Sequence, residues 1–321
     1  MLTRRSTLKL FAGAAALSAL PFGTARAQGA TEFRIGWQKG GVFALAKGTG
    51  ALEKRLEPRG IKVSWNEFTS GPPLLEALGA AAIDFGSTGD IPPLFAQSAG
   101  GDLLYVASSK GSLDGSAILV KKDSPIQSLA DLKGKKVAYK RGSSAHNFTL
   151  KALQSVGLTL DDIETVDLGP PDAAPAFANN QIDAWTIWDP YYAIAAQAAD
   201  TRVLATTEGL VDSWGYYLAN GAYTKANPDV ILDVIDELGK VGTAAQANID
   251  ATVGEIAKIT GVPVEVQKIA LTRKGADLGA IDLLTPDNLT YQQALADTFF
   301  DLKIIPRKLN IASAFWSAPK A

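Results

Sequence analysis

The chain lacks cysteine altogether and holds a single histidine among its 321 residues. Without cysteine there is no disulfide framework, no thiol nucleophile, no thiolate metal site and no lipid-bearing cysteine. His146 alone cannot build a histidine-rich metal centre, so neither a metal nor another cofactor is expected. The paired patterns HExxH and GxSxG, which mark metalloproteases and serine hydrolases, are also missing. Gly40-Gly41 and Gly48-Thr49-Gly50 make neither a dinucleotide fingerprint nor a phosphate-binding loop. Nowhere does an apolar run approach the roughly 18 residues that a membrane helix needs.

Positive charge is scarce as well once the N-terminus is set aside. Arg4, Arg5 and Lys9 precede an apolar run over residues 10–22 that ends at Ala25-Arg26-Ala27, which reads as a secretory signal removed after residue 27. The string Thr3-Arg4-Arg5-Ser6-Thr7-Leu8-Lys9 resembles a twin-arginine signal with Thr7 at the usual Phe position, so both that route and Sec export stay open. Those 27 residues carry four bases and no acid, leaving 27 basic against 33 acidic residues. Such a balance offers no basic stripe to nucleic acid. Hydrophobic content of 47% with 20% charge indicates a folded chain, and residues 28–321 suit two domains. No exposed apolar periodicity suggests an interface, so a monomer is expected.

What is present is a repeat. Ile35-Gly36-Trp37-Gln38-Lys39-Gly40 reads again as Val137-Ala138-Tyr139-Lys140-Arg141-Gly142. Pro72-Pro73, an Ala/Leu helix and Ile83-Asp84 through Asp90 read again as Pro170-Pro171, an Ala-rich helix and Ile182-Asp183 through Asp189-Pro190. The pattern predicts strands over 33–37, 61–68, 83–86 and 103–108 with helices over 43–56, 72–82 and 92–99, the alternation of a mostly parallel sheet. From Ser116 the alternation starts over, with strands over 117–120, 136–139, 165–168, 183–187 and 203–205. Two crossings, near Gly115 and Tyr217, would join the halves. Residues after about 220 would pack back onto the first.

Each half places Gly, hydroxyl and acid residues straight after a short apolar strand, where open α/β sheets bind ligands. Gly142-Ser143-Ser144 precedes a helix over 145–156, so a serine there is an N-cap candidate; with the helix dipole the same loop offers donors to an anion. Gln38 with Gly40 and Gly41 forms the mirrored loop, and Ser87, Thr88 and Gly89 lead into another helix. Neutral donors suit an anion that never protonates. Trp188 would wall the organic part of a ligand. Asp90 and Asp189 are read first as helix caps, and His146 as a supporting hydrogen-bond residue rather than a base.

The runs IGWQKGG (35–41), VSWNEFTSGPPLLEAL (63–78), IDFGSTGDIPPLFAQSAG (83–100), DLKGKKVAYKRGSSAHNF (131–148) and IDAWTIWDPYYAI (182–194) resemble the periplasmic aliphatic sulfonate-binding proteins of ABC importers. That resemblance implies an α/β, two-lobed periplasmic-binding-protein clamshell with two hinge crossings and mixed, mostly parallel sheets. Residues 28–115 and 220–321 would form one lobe and 116–219 the other. It further implies capture of an alkanesulfonate between the lobes, without turnover. Delivery would be to a membrane permease with its cytoplasmic ATPase, in the periplasm, for sulfur acquisition. The implied ligand loops are Gln38 with Gly40 and Gly41, Ser87 through Asp90 (Ser87, Thr88, Gly89, Asp90), Gly142, Ser143, Ser144 and His146, and Trp188 with Asp189. Trp214 is a further wall for the tail, and Arg273 is a candidate charge from the C-terminal part. Taurine, nitrate, a sulfate ester or a thiamine-type pyrimidine are the alternative solutes. Enzymes on the same fold fit less well: a sulfinate desulfinase needs a cysteine, and export argues against a histidine-dependent pyrimidine-forming protein.

Overall fold

The two copies of the repeat become equivalent strands of two separate sheets. The computed structural model describes residues 30–319; the expected export signal over residues 1–27 lies outside the described residues. The strands, in chain order, are β1 (Glu32–Trp37), β2 (Lys62–Glu67), β3 (Phe85–Gly89), β4 (Leu103–Lys110), β5 (Ser116–Lys121), β6 (Lys136–Tyr139), β7 (Glu164–Asp167), β8 (Ala184–Trp188), β9 (Thr201–Thr206), β10 (Trp214–Asn220) and β11 (Asp282–Leu283). One sheet has the order β11-β4-β10-β3-β1-β2 and the other β7-β6-β8-β5-β9. Reading from β2 and from β7 gives the same arrangement. In each half three parallel strands are followed by an antiparallel strand that arrives from the far side of a crossing: β10 between β3 and β4, β5 between β8 and β9.

The repeated Ile-Asp pair explains itself at this level. The Asp84 carboxylate accepts the backbone N–H of Arg34 at 2.8 Å, while the Asp84 N–H donates to the Arg34 carbonyl at 2.7 Å. In the second half Asp183 accepts the backbone N–H of Lys136 at 2.8 Å and donates to its carbonyl at 2.8 Å. Each acid thus pins the neighbouring strand, β1 at Arg34 and β6 at its first residue Lys136, by satisfying backbone groups that would otherwise lack partners. In the first half the Arg34 side chain adds an ion pair to Asp84 at 2.6 Å.

Apolar faces of the strands and flanking helices form the cores. Phe33, Phe43, Phe85 and Tyr217 pack as one aromatic group against Val230, Ile231, Val234 and Leu238 from the helix Pro228–Ala247. Burial of each such side chain stabilises the fold by roughly 1.5–3 kcal/mol. Residues beyond 220 therefore complete the first half. The second half has its own cores around Val137, Phe148 and Leu153 and around Ala138, Phe177 and Trp185. Ala193 with Val262 and Val266 forms a small cluster between the halves.

Several boundaries differ from the sequence expectation. The helix expected over 43–56 breaks at Gly50, whose φ of 63° ends Gly41–Thr49 and begins Ala51–Leu56. The strand expected over 83–86 runs instead from Phe85 to Gly89, because Asp84 is engaged by Arg34 and Ser87 and Thr88 pair with Tyr217 and Tyr216. The chain passes between the sheets at residues 111–115 and 207–213; Gly115 lies in the first passage, whereas Tyr217 lies beyond the second, inside β10.

Candidate functional site

Between the halves lies a cavity of about 320 Å³, within the range of small-ligand sites. Its wall comes from the ends of β1, β3, β6 and β8 and from both passages between the sheets. Of the expected ligand residues, Gln38, Gly40, Ser87, Thr88, Gly89, Ser143, Ser144, Trp188, Asp189 and Trp214 share this wall. Gly40 stands at φ 124° and Gly41 at φ 66°, conformations that glycine adopts without strain, which lets the loop turn directly into the helix Gly41–Thr49.

The donors are mostly neutral. Ser87, Thr88, Ser112, Ser116, Ser143, Ser144 and Ser213 line the cavity, the Thr88, Ser143 and Ser144 hydroxyls donating within the protein to the Gly89 carbonyl, the Lys140 carbonyl and Asp90. The Gln38 amide donates to the Ser87 carbonyl at 3.2 Å, which fixes its orientation. Ser143 precedes the helix Ser144–Gln154, but its hydroxyl donates to the Lys140 carbonyl at 2.6 Å and caps nothing. That helix N-terminus, uncapped by a side chain, points its dipole at the cleft. Lys39 is the cation on the wall, half-exposed and 3.9 Å from Glu67. Trp188 and Trp214 supply flat apolar surface on opposite halves.

Four expected ligand residues are elsewhere. Gly41 faces a neighbouring cavity, and Gly142 packs under Phe95 along a separate groove. His146 is buried among Tyr139, Phe299 and Phe95, with ring centroids 5.0, 5.5 and 6.1 Å away, and its Nδ1 accepts the Gly142 N–H at 3.3 Å. Burial, helped by the Arg141 charge, lowers its pKa to about 4, so it is neutral near pH 7 and braces the loop. Asp90 is 2% exposed and lies behind the wall. It does not cap the following helix; it accepts the Ser144 hydroxyl at 3.0 Å and the Tyr291 hydroxyl at 2.7 Å. Burial holds its carboxyl above the ordinary range, against the lowering effect of those two donors.

Asp189, on the wall, does meet the first turn of its helix: Oδ1 accepts the Ala193 N–H at 3.0 Å. It also pairs with Arg273 of the opposite half at 2.7 Å. Burial raises its carboxyl above the ordinary range, and the guanidinium opposes that shift. Ser112 and Ser116 belong to the Gly/Ser-rich segment 108–116, which the sequence places at the border of the cleft without naming either as a ligand residue; Ser213, in the second passage, carries no such signal. Among the described residues no group of three or more His, Asp or Glu side chains is placed to hold a metal ion.

Two similar α/β halves closing on a donor-lined cavity define a bilobal solute-binding class. The comparisons with known proteins narrow it. The family described as NMT1/THI5 like matches residues 57–250. The chain is 39% identical over 313 residues to a protein of Escherichia coli (strain K12) named for binding aliphatic sulfonates, covering 97% of each. The alkanesulfonate-binding protein SsuA from Xanthomonas axonopodis pv. citri, solved bound to MOPS, is 37% identical with a TM-score of 0.84, over 90% of this chain and 99% of that one. The periplasmic aliphatic sulphonate binding protein SsuA from Escherichia coli is 38% identical with a TM-score of 0.80, over 91% and 94%. The chain belongs to the NMT1/THI5-like family and, within it, to the aliphatic-sulfonate-binding proteins.

Proposed function

We propose that this protein captures aliphatic sulfonates in the cavity between its halves. It then delivers them to the permease of an ABC importer, whose cytoplasmic ATPase drives uptake for sulfur acquisition. The observation that carries the reading is the wall itself: the hydroxyl residues Ser87, Ser112, Ser116 and Ser213, one oriented amide and one helix N-terminus surround about 320 Å³ between two tryptophans. A sulfonate is a permanent monoanion with three acceptor oxygens and gains nothing from a tuned proton donor, so neutral donors match it. The indoles suit an alkyl tail. Binding shifts the molecule toward its closed arrangement without turnover. It works as a monomer in the periplasm, after residues 1–27 direct export and are removed.

The tail is uncharged in this reading. An ammonium such as that of taurine calls for a carboxylate, and Asp189, the acid on the wall, is already paired with Arg273. Thermal unfolding of ligand-free mature protein tests the assignment with ethanesulfonate, octanesulfonate, taurine, nitrate and sulfate. A ligand at 100-fold excess over its dissociation constant stabilises the fold by roughly 2.7 kcal/mol. Alkanesulfonates are expected to raise the midpoint well above taurine and nitrate. If no sulfonate moves it, the assignment fails.

A further inference from the structure

Asp189 presents a difficulty for a cleft that receives an anion. The residue lies on the cavity wall, and its side chain is only 13% exposed. A carboxylate a few ångströms from a sulfonate repels it, and a partly dry wall screens that repulsion poorly. Arg273 answers from the other half of the molecule, two residues beyond the helix Val264–Leu271. Its Nε donates to Oδ2 at 2.7 Å and its Nη2 to Oδ1 at 3.3 Å. The guanidinium lies 4.0 Å over the Tyr192 ring, with Nη1 3.9 Å from Asp114 Oδ2, and is not part of the cavity wall. The arginine is thus held behind the acid rather than presented to a ligand.

We propose that Arg273 is a positioning residue for anion capture: by pairing with Asp189 across the two halves it cancels the negative charge on the cavity wall. The inference rests on the anion-binding reading of the cleft. Because the partners sit on opposite halves, parting the halves parts the pair. Asp189 then faces water bare, and the wall repels the anion. Closure and neutralisation are therefore one event, and the closed form alone presents an electrostatically favourable site. Asp189 keeps its place on the wall through a separate contact, the Ala193 N–H, which does not depend on Arg273.

A double-mutant cycle read by calorimetric titration with ethanesulfonate tests this. Arg273→Gln is expected to weaken binding roughly thirtyfold, the scale for like charges a few ångströms apart in a partly solvated site. Adding Asp189→Asn to Arg273→Gln should restore most of the lost affinity, since coupled residues show non-additive effects. Arg273→Lys, which keeps the charge, should retain most of the affinity and guards against a folding defect in Arg273→Gln. A double variant as weak as Arg273→Gln overturns the proposal, because the guanidinium would then be touching the ligand or merely strapping the halves. Asp189→Asn as weak as Arg273→Gln overturns it equally. The wild-type titration judges the sulfonate reading by itself: if nitrate or sulfate binds instead, the cycle is run with that anion, and if no anion binds, both readings fall.

Discussion

Ser144 Oγ donates a 3.0 Å hydrogen bond to Asp90 Oδ1, joining the first helical residue after β6 to the acid that follows β3 on the opposite sheet. The repeat places Asp189 after β8 as it places Asp90 after β3, and Asp189 also finds its partner, Arg273, across the cleft. Equivalent acids therefore tie the halves together at two points around the cavity. One accepts a hydroxyl and stays behind the wall; the other accepts a guanidinium and stands on it.

Tyr291→Phe removes the 2.7 Å donor from the buried Asp90 carboxylate. Depriving a buried charged acceptor of a partner costs about 1–3 kcal/mol. Chemical denaturation should show that loss. It should be larger at pH 8 than at pH 5, because Asp90 is already raised by burial and the variant raises it further, favouring the protonated fold at low pH. Equal stability of variant and wild type at pH 8 would remove Asp90 as an anchor.

His146 gives the opposite slope. Its folded pKa of about 4 lies below the ordinary value of 6.5, so between those values the unfolded chain binds more protons. The stability tied to its neutral form is complete above about pH 6.5 and is lost as pH falls toward 4, by about 3 kcal/mol over the window. Denaturation of wild type and His146→Gln from pH 7.5 to 4 isolates this slope from those of Asp90 and Asp189, which run the other way. Parallel curves would mean that the imidazole is not buried neutral.

A Cβ on Gly89 would stand 2.0 Å from Ser144 Oγ and 3.3 Å from its Cβ. Gly89→Ala should weaken ethanesulfonate binding by about tenfold, as overpacking a close approach costs about 1–3 kcal/mol. Unfolding free energy should fall as well, by about 1–3 kcal/mol, because displacing Ser144 Oγ takes a donor from the buried Asp90 carboxylate. Calorimetry paired with denaturation separates the two effects. Wild-type affinity would show that the halves do not meet here when ligand is bound.

The halves were legible because their determinants are local. Asp84 and Asp183 act on the neighbouring strand in each copy, and Gly40 and Gly142 both carry positive φ at the turn that follows. Ser87 and Thr88 read as loop because Gly, Ser and Thr resemble turn residues, yet β10 arrives from far along the chain and pairs them into a strand. The same distance concealed the place of His146. Its helix face is settled by Phe299, which nothing in the Gly-Ser-Ser-Ala-His string anticipates. Arg273 was visible as a charge, but its partner depends on how the halves close.

The strand exchange at the crossings bears on the order in which the chain acquires structure. All strands of the second sheet lie between Ser116 and Thr206, one uninterrupted stretch, while the first sheet has a gap between β3 and β4 until β10 is in place. A chain emerging from its N-terminus can thus finish the later half before the earlier one. Residues 32–110 must wait, with an unfilled slot in their sheet, for a strand that begins at Trp214. A nascent chain stopped just after Thr206 would hold one finished sheet and one split sheet, with bare hydrogen-bonding edges facing the missing strand.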